Sequence, residues 1–464
     1  MNMNMIRFTA IAAVLSILTL IGTASGQDLG YNGRLAGMGN SAVAALQGTD
    51  ALGINPASIA PAGEANFSFS ILPIGFHAGT DFIDFGTYQK YFTGQVNEFG
   101  ETEGYYLTAD DKAFLLNQFQ SGVGSFAISG NYRILAMAAR FGAFSAGFDM
   151  TDRIASNGAI PQQFVDFLFN GNPPGKTFDF SELEFKSSWL RKYGVSTAYS
   201  FPIRNGQSKL SVGLGVSLVQ GYGYYGIDRF DSRFTTDPDS FVVYGQANML
   251  AHYAGTEWLE TGSIYLIQLF PDPVGQGIGF DIGVHADISP KLKLAASLTD
   301  IGSITWDRNA KRTEADEYFT INDVTSDEQF QELKDRINGT EEPIASFSTP
   351  LPTAINASAV YMLGNPEDPA KSLLLSAGIR QGFNDEPGNM SSTLIGLGTE
   401  WRGIGWLPLR AGVSFGGMQS VAFAFGLGLR AERFALDFGT GNISSAFSSG
   451  FSSTSFAITS HFDF

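Results

Sequence analysis

From residue 278 the chain reads Ile278-Gly279-Phe280-Asp281-Ile282-Gly283-Val284-His285-Ala286-Asp287-Ile288. Every second side chain is apolar, and the ones between are glycine or polar. Side chains along a strand point alternately to opposite faces, so this stretch has one greasy face and one small, polar face. A soluble β-sandwich also alternates, with its greasy face inward. Its outer face would then carry lysine and glutamate, whereas the polar positions in this chain are mostly Gly, Ser and Ala. A membrane barrel inverts the arrangement, with the greasy face against lipid and the small polar face lining the lumen.

The pattern recurs. Val421, Phe423, Phe425, Leu427 and Leu429 alternate with Ala422, Ala424, Gly426, Gly428 and Arg430. Leu210, Val212, Leu214, Val216 and Leu218 oppose Ser211, Gly213, Gly215 and Ser217. Similar runs start at Leu373 and Leu409, and the chain ends on Phe456, Ile458, Phe462 and Phe464 against Ala457, Thr459, His461 and Asp463. Counting back from Phe464 gives about fourteen strands, near 454–464, 433–441, 419–430, 408–415, 393–402, 372–381, 353–363, 292–304, 278–288, 209–219, 192–202, 144–152, 131–140 and 66–76. With Phe464 at the periplasmic end, the turns at 431–432, 403–407, 364–371, 289–291, 203–208 and 141–143 are periplasmic, and all are short. The connections on the other side include four long ones, 77–130, 153–191, 220–277 and 305–352. Short periplasmic turns with long outer loops are what an outer-membrane barrel shows. The expected fold is therefore all-β, a transmembrane antiparallel β-barrel of about 14 strands over 64–464. The 220–277 loop has room for a further strand pair around 239–270.

Composition agrees. Fifty-five glycines among 464 residues penalise helices. After the first residues no apolar run is long enough for a membrane helix. The N-terminus has one charged residue, Arg7, then an apolar run Ala10–Ile21 and Ala24-Ser25-Gly26 before Gln27. These are the parts of a cleaved signal peptide over 1–26. The absence of cysteine excludes a lipid anchor at the cleavage site, disulfides and thiolate zinc sites. A net charge of −17 argues against nucleic acid as a partner.

The long loops contain local order. Asp110-Asp111-Lys112 to Phe119 has acidic residues where a helix begins. Phe164–Phe169 is a second short helix, stopped by Gly171 and Pro173-Pro174. The acidic 311–343 segment lacks calcium-loop spacing and is expected to be a solvated outer loop.

Residues 27–63 do not alternate. Leu35-Ala36-Gly37-Met38-Gly39-Asn40-Ser41-Ala42-Val43-Ala44 leads to Asn55-Pro56-Ala57-Ser58-Ile59-Ala60, a run of small residues suited to filling a lumen. Pro56 holds Asn55 extended. Gly-Met-Gly, then Ala-Val-Ala, then Asn-Pro-Ala ahead of the first strand resembles the FadL-type superfamily of outer-membrane proteins, which includes fatty-acid transporters and PorV-type secretion barrels. The stretches Tyr88-Gln89-Lys90-Tyr91-Phe92, Leu107–Lys112 and Phe167–Asn172 are similar to an uncharacterised branch of it. The resemblance implies a fourteen-stranded barrel with an N-terminal hatch, 27–63, folded inside and containing Asn55, Pro56 and Ala57. In the transporters of that group, a hydrophobic ligand enters a greasy pocket and passes when the hatch shifts. The PorV-type members instead handle secreted or surface proteins. The lumen positions read above are small and polar, so a greasy pocket would have to come from loop residues such as Phe76, Phe82, Phe85, Phe114, Phe164 and Phe167.

Few residues can do chemistry. The four histidines, His77, His252, His285 and His461, form no metal or catalytic motif, so neither an enzyme, a metal nor a cofactor is expected. Asp281, His285 and Asp287 share one strand face, on which alternate residues sit about 7 Å apart, and a polar network holding the hatch is expected there. Arg380, Arg410 and Arg430, with Glu400 and Asp437, fall on the lumen face of the last strands. They are placed either to brace the hatch or to orient a ligand carboxylate. Three functions follow: a passive channel for hydrophobic small molecules, a surface barrel binding partner proteins, and an open hydrophilic porin. Outer-membrane lipid is the surrounding partner in each.

Overall fold

The computed structural model describes residues 32–96, 100, 102–203, 208–256, 271–322, 339–365, 371–417 and 419–464. The expected signal peptide lies outside them. Fourteen antiparallel strands close into a barrel. They are β1 (Phe67–Ser70 and Ile74–Thr80), β2 (Val123–Phe141), β3 (Phe144–Pro161), β4 (Glu184–Ile203), β5 (Ser208–Phe230), β6 (Gly275–Ser289) and β7 (Leu292–Trp306). The rest are β8 (Phe347–Pro350 and Ala354–Leu363), β9 (Leu373–Gly382), β10 (Thr393–Trp401), β11 (Leu409–Gly416), β12 (Gln419–Arg430), β13 (Phe434–Thr440) and β14 (Ser453–Asp463). Each pairs with the next, and β1 closes the ring on β14 through Phe69↔Phe462 and Phe76↔Phe456. Closure leaves no unpaired edge in the membrane, which lipid would not tolerate.

The alternation sets the two faces. In β5, Val212, Leu214, Val216 and Leu218 are exposed, while Ser211, Gly213, Gly215 and Ser217 are buried. In β6 the exposed set is Ile278, Phe280, Ile282 and Val284. Phe67, Phe141, Phe144, Trp401, Trp406 and Phe464 stand exposed near the short-turn end, an aromatic girdle of the kind that flanks a membrane band.

The strands differ in height. β2 to β5 contain 19, 18, 20 and 23 residues, whereas β9, β10 and β11 contain 10, 9 and 8. The sequence pattern places the outer ends of β2 to β5 too low, because past Val219 the inward positions become bulky and the small-against-large alternation stops. The expected outer loops 77–130, 153–191 and 220–277 are thus partly barrel wall. Two further strands, Arg233–Thr236 and Val243–Ala254, lie in 220–277 and pair with each other, and Val243–Ala254 also pairs with the top of β5. The other edge of Val243–Ala254 pairs with Lys311–Ile321, from the next connection; its hairpin partner Arg233–Thr236 just precedes 239–270, of which residues 257–270 lie outside the described residues. The described start of the acidic segment is therefore sheet, and residues 323–338 lie outside the described residues.

Four α-helices lie among the described residues: α1 (Gly33–Gly37), α2 (Phe85–Phe92), α3 (Ala109–Leu116) and α4 (Gln162–Asn170). Thr108 and Asp111 form a capping box at α3, and Gly171 ends α4 at φ 70°.

Candidate functional site

Residues 32–61 wind through α1 and three short 3-10 turns, and pack on the inward faces of the strands. Leu35, Met38, Leu46, Leu52, Ile54 and Ile59 are almost wholly buried, against wall alanines such as Ala136, Ala198 and Ala295. Polar ties run to strands all round the ring. The Gly33 amide donates to Thr459 Oγ1 (2.7 Å), and Ser41 Oγ lies 2.6 Å from Ser376 Oγ. The Ala44 amide donates to Ser358 Oγ (2.7 Å), and Ser297 Oγ donates to the Ile54 carbonyl (2.6 Å). Arg133 donates to the carbonyls of Thr49 (2.6 Å) and Leu52 (2.7 Å). These bonds satisfy an irregular backbone that water does not reach.

Asn55, Pro56 and Ala57 sit in a notch in the wall. Asn55 is extended (φ −148°, ψ 105°), caps the Ala57 amide at 3.0 Å and donates to the Val284 carbonyl at 3.1 Å. The notch exists because Gly213 and Gly283 face each other across β5 and β6. A Cβ at Gly213 would lie 2.3 Å from the Ala57 nitrogen, and one at Gly283 would lie 2.1 Å from Asn55 Oδ1.

Glu400 anchors a charged chain on the opposite wall. Arg34 meets it twice (Nε–Oε2 2.8 Å, Nη2–Oε1 2.9 Å), and Arg34 Nη1 also donates to the Ala45 carbonyl (2.7 Å). Arg402 reaches Glu400 at 2.6 Å, and Arg410 bridges Glu400 (2.7 Å) to Asp437 (2.7 Å). Arg430 closes the chain on Asp437 at 2.8 Å. Arg380 is not part of it: this residue bonds Asn356 Oδ1 (3.1 Å) and Asn389 Oδ1 (3.4 Å) nearer the outer side. Arg34 was not singled out from the sequence. Its signal was available, since it is a single basic residue in a small-residue segment facing a wall with few carboxylates.

The Asp281, His285 and Asp287 trio divides. His285 Nδ1 shares a hydrogen bond with Ser58 Oγ (3.0 Å), and Nε2 lies 3.3 Å from Asp287, which Lys293 also approaches at 3.2 Å. Asp281 belongs to the next layer outward. It accepts from the Asp300 amide (2.7 Å) and lies 3.9 Å from Lys192 Nζ. Lys192 also pairs with Asp300, which Arg153 approaches at 3.7 Å. Beside it, Asp152 holds Arg191 at 2.5 Å and 2.8 Å and accepts from Tyr132 (2.6 Å) and Trp189 (3.2 Å). Sequence reasoning singled out only Asp281 of this layer: Arg153, Trp189 and Arg191 fell in the expected 153–191 loop, and Asp152, Lys192 and Asp300, although on expected strands, had no visible partners there.

Above the charged layer the lumen becomes apolar. Leu190, Val219, Tyr224, Ile304, Trp306 and Leu351 are buried together, with Phe347 packed against them. Most come from strands, which corrects the expectation that greasy lining must come from loops. The bulky inward positions lie just at or beyond the expected strand ends. The loop residues go elsewhere. Phe76 is on the lipid-facing side of β1 beside Phe456 (5.7 Å), Phe82 stacks on Phe119 (4.7 Å), Phe85 lies against Phe451 (5.5 Å) and Phe114 is exposed. Phe164 and Phe167 join Phe178, Phe180 and Phe234 in an outer cluster.

A strap roofs the apolar chamber. Residues 383–392, between β9 and β10, cross to β3 and β4 on the far side of the ring. Asn157 Nδ2 donates to the carbonyls of Glu386 (3.0 Å) and Asn389 (2.6 Å), and Lys186 pairs with Glu386 at 2.7 Å. Asn384 and Asn389 donate to the carbonyls of Leu351 (2.8 Å) and Thr353 (2.9 Å). Burial pushes the Glu386 carboxyl up, against the opposing effect of Lys186. The chamber thus lies between the strap above and the charged layer and residues 32–61 below. Among the described residues no cluster of metal-ligating side chains occurs.

Residues 96–440 match the model of a family described as DUF5723, a family of unknown function. No curated protein matches the chain. Among solved structures it is similar to the Ralstonia pickettii toluene transporter TbuX, at 13% identity over 94% of this chain and 98% of that one, with a TM-score of 0.44. It is also similar to the Pseudomonas putida toluene transporter TodX (10% identity, 96% and 100% covered, TM-score 0.45) and to a Pseudomonas aeruginosa FadL homologue (9% identity, 96% and 100% covered, TM-score 0.45). Similarity at that level says nothing of what this barrel carries.

Proposed function

The chain belongs to this family of unknown function, DUF5723, and from that premise we propose that it is a passive outer-membrane channel for small hydrophobic molecules, gated by residues 32–61. One observation carries this reading: a cluster of buried apolar side chains, Trp306, Leu190 and Ile304 among them, stands in the outer half of an otherwise small and polar lumen. Apolar surface inside a barrel has no structural need to face the axis, whereas an apolar ligand leaving water gains about 25 cal/mol per Å² buried there. The hatch residues Asn55, Pro56 and Ala57 and the ion pairs at Glu400 then hold the path shut until the segment moves. That arrangement disfavours a permanently open hydrophilic porin. The outer phenylalanine cluster does not favour a protein-binding surface, since Phe178 and Phe180 are buried within it.

The test is uptake of a radiolabelled apolar compound by cells of an outer-membrane host, with and without the protein. Faster entry in its presence is expected. Equal entry at matched expression rules the channel out.

A further inference from the structure

The strap over the apolar cluster is fastened differently at its two ends. At its root, beside β8, Asn384 donates to the Leu351 carbonyl (2.8 Å), and Asn389 donates to those of Thr353 (2.9 Å) and Asn384 (3.0 Å). Asp385 accepts from the Ser391 amide (2.6 Å) and hydroxyl (2.9 Å), which ties residues 385–391 into a closed loop. A segment bonded to itself in this way moves as one piece. Its tip meets the far wall through few contacts, and Asn157 on β3 makes most of them. The Asn157 Nδ2 donates to the carbonyls of Glu386 (3.0 Å) and Asn389 (2.6 Å), and its Oδ1 accepts from the Gly388 amide (3.4 Å). The other ties are the Lys186–Glu386 pair, whose lysine is 27% exposed, and Met390, packed on Phe126 and Ala127.

Glu386 and Pro387 close over Leu190, Tyr224, Ile304 and Trp306, and about 10 Å³ remains beneath them, room for roughly one water molecule. While the strap is down, the apolar cluster therefore has no space for a ligand. We propose that residues 383–392 are an outer lid, rooted beside β8 and latched to β3 by Asn157, which lifts to admit an apolar molecule to the cluster. In the closed state the lid itself occupies the site. The proposal rests on the channel reading above and adds a second closure to it. Residues 32–61 shut the inner end, the strap shuts the outer one, and the apolar cluster lies between them. Opened in turn, the two pass a small molecule without a continuous water-filled pore.

The chain has no cysteine, so an introduced pair has no competitor. A Cβ at Gly388 would lie 3.4 Å from the Ala155 Cβ, close to the spacing in a disulfide, and 2.9 Å from Arg153 Cδ, on a side chain able to shift. Ala155→Cys with Gly388→Cys should therefore staple the lid shut on oxidation. Gly388 has φ 85°, which strains any side chain there, so the reduced form of the same variant is the control. Uptake of the radiolabelled apolar compound is expected to stop on oxidation and to return with dithiothreitol. A second measurement needs no uptake. Ser188 lines the cleft beneath the strap and is 5% exposed, so Ser188→Cys reports opening by its rate of reaction with a water-soluble methanethiosulfonate. Asn157→Ala removes two hydrogen bonds, worth about five-fold each, and should speed that reaction about 25-fold. Equal rates in the two backgrounds, or protein-dependent uptake as fast in the oxidised pair as in the reduced one, overturn the proposal. Where the cysteines do not pair, the labelling rates decide alone. Faster labelling with Asn157→Ala but no protein-dependent uptake retains the lid and removes the channel. Protein-dependent uptake that ignores the staple does the reverse.

Discussion

Arg34 and Glu400, 366 residues apart in sequence, face each other in a two-pronged ion pair with both contacts below 3 Å. Among the described residues it is the one place where the N-terminal segment is tied to the wall by full charges at fork geometry, and the pair is largely buried, with 13% and 1% of the side chains exposed. Arg34→Ala leaves Glu400 with Arg402 and Arg410, so the carboxylate stays compensated and the barrel should assemble. The segment alone loses about 1.5–3 kcal/mol of charge-assisted bonding. In planar bilayers the variant is expected to show openings that the wild type lacks. Identical traces would mean that this pair does not hold the segment.

Gly213 gives a steric counterpart. Its missing Cβ is 2.3 Å from the Ala57 nitrogen and the Pro56 carbonyl carbon, and backbone atoms there cannot swing aside. Gly213→Val should overpack the notch by about 1–3 kcal/mol and lift the Asn55-Pro56-Ala57 turn. Limited proteolysis is expected to cut within 32–61 in the variant while β1 to β14 remain heat-modifiable as a folded barrel.

The strap has a pH dependence whose sign is fixed by Glu386. Burial raises this carboxyl above its ordinary value of 4.5, so the closed strap binds a proton more readily than the open one. Its contribution to closure is fully present below that ordinary value and is lost as pH rises through the raised one. Hydrogen exchange in 383–392, corrected for intrinsic rate, should therefore be slower on the acid side of that window than at pH 7. Glu386→Gln should hold the strap shut at pH 7 at least as well as the wild type. Much faster exchange in this variant would show that the pairing with Lys186 outweighs burial.

The outer phenylalanine cluster should be separable from the lumen. Phe178 is fully buried among Phe167, Phe180 and Phe234. Phe178→Ala is expected to cost about 3–5 kcal/mol locally. Protease sensitivity around α4 should rise while uptake through the barrel stays the same.

Strand positions within the membrane were legible because lipid on one side and a close-packed segment on the other force opposite residue types at alternate positions. Ile278 to Ile288 carries both constraints at once. Above the membrane neither holds, so Val219, Tyr224, Ile304 and Trp306 broke the pattern and the chamber they form was invisible. Glu400, Arg410, Arg430 and Asp437 could be assigned a face from their register, but not a partner. Arg34 sits in a segment with no repeat, and only the fold brings it to them. Arg380 shares their face at a different height, and height along the axis is what a single strand's alternation does not record. Lys192, Asp300 and Asp152 lay near the outer ends of expected strands without visible partners, since Arg153, Trp189 and Arg191 were assigned to a loop, and a residue assigned to a loop has no face.

The unequal strand lengths have one more consequence. A membrane crossing takes about 9–11 tilted residues, so β9, β10 and β11 end at the lipid headgroups, while β5 continues for about as long again and carries its wall roughly 30 Å higher. The rim is therefore a slope, shaped like a scoop with its lip at the level of the bilayer surface. A molecule dissolved in water and one already lodged among the outer lipids arrive at the same doorway, from above and from the side. The strap springs from the low lip and leans on the tall wall, so both routes pass beneath it.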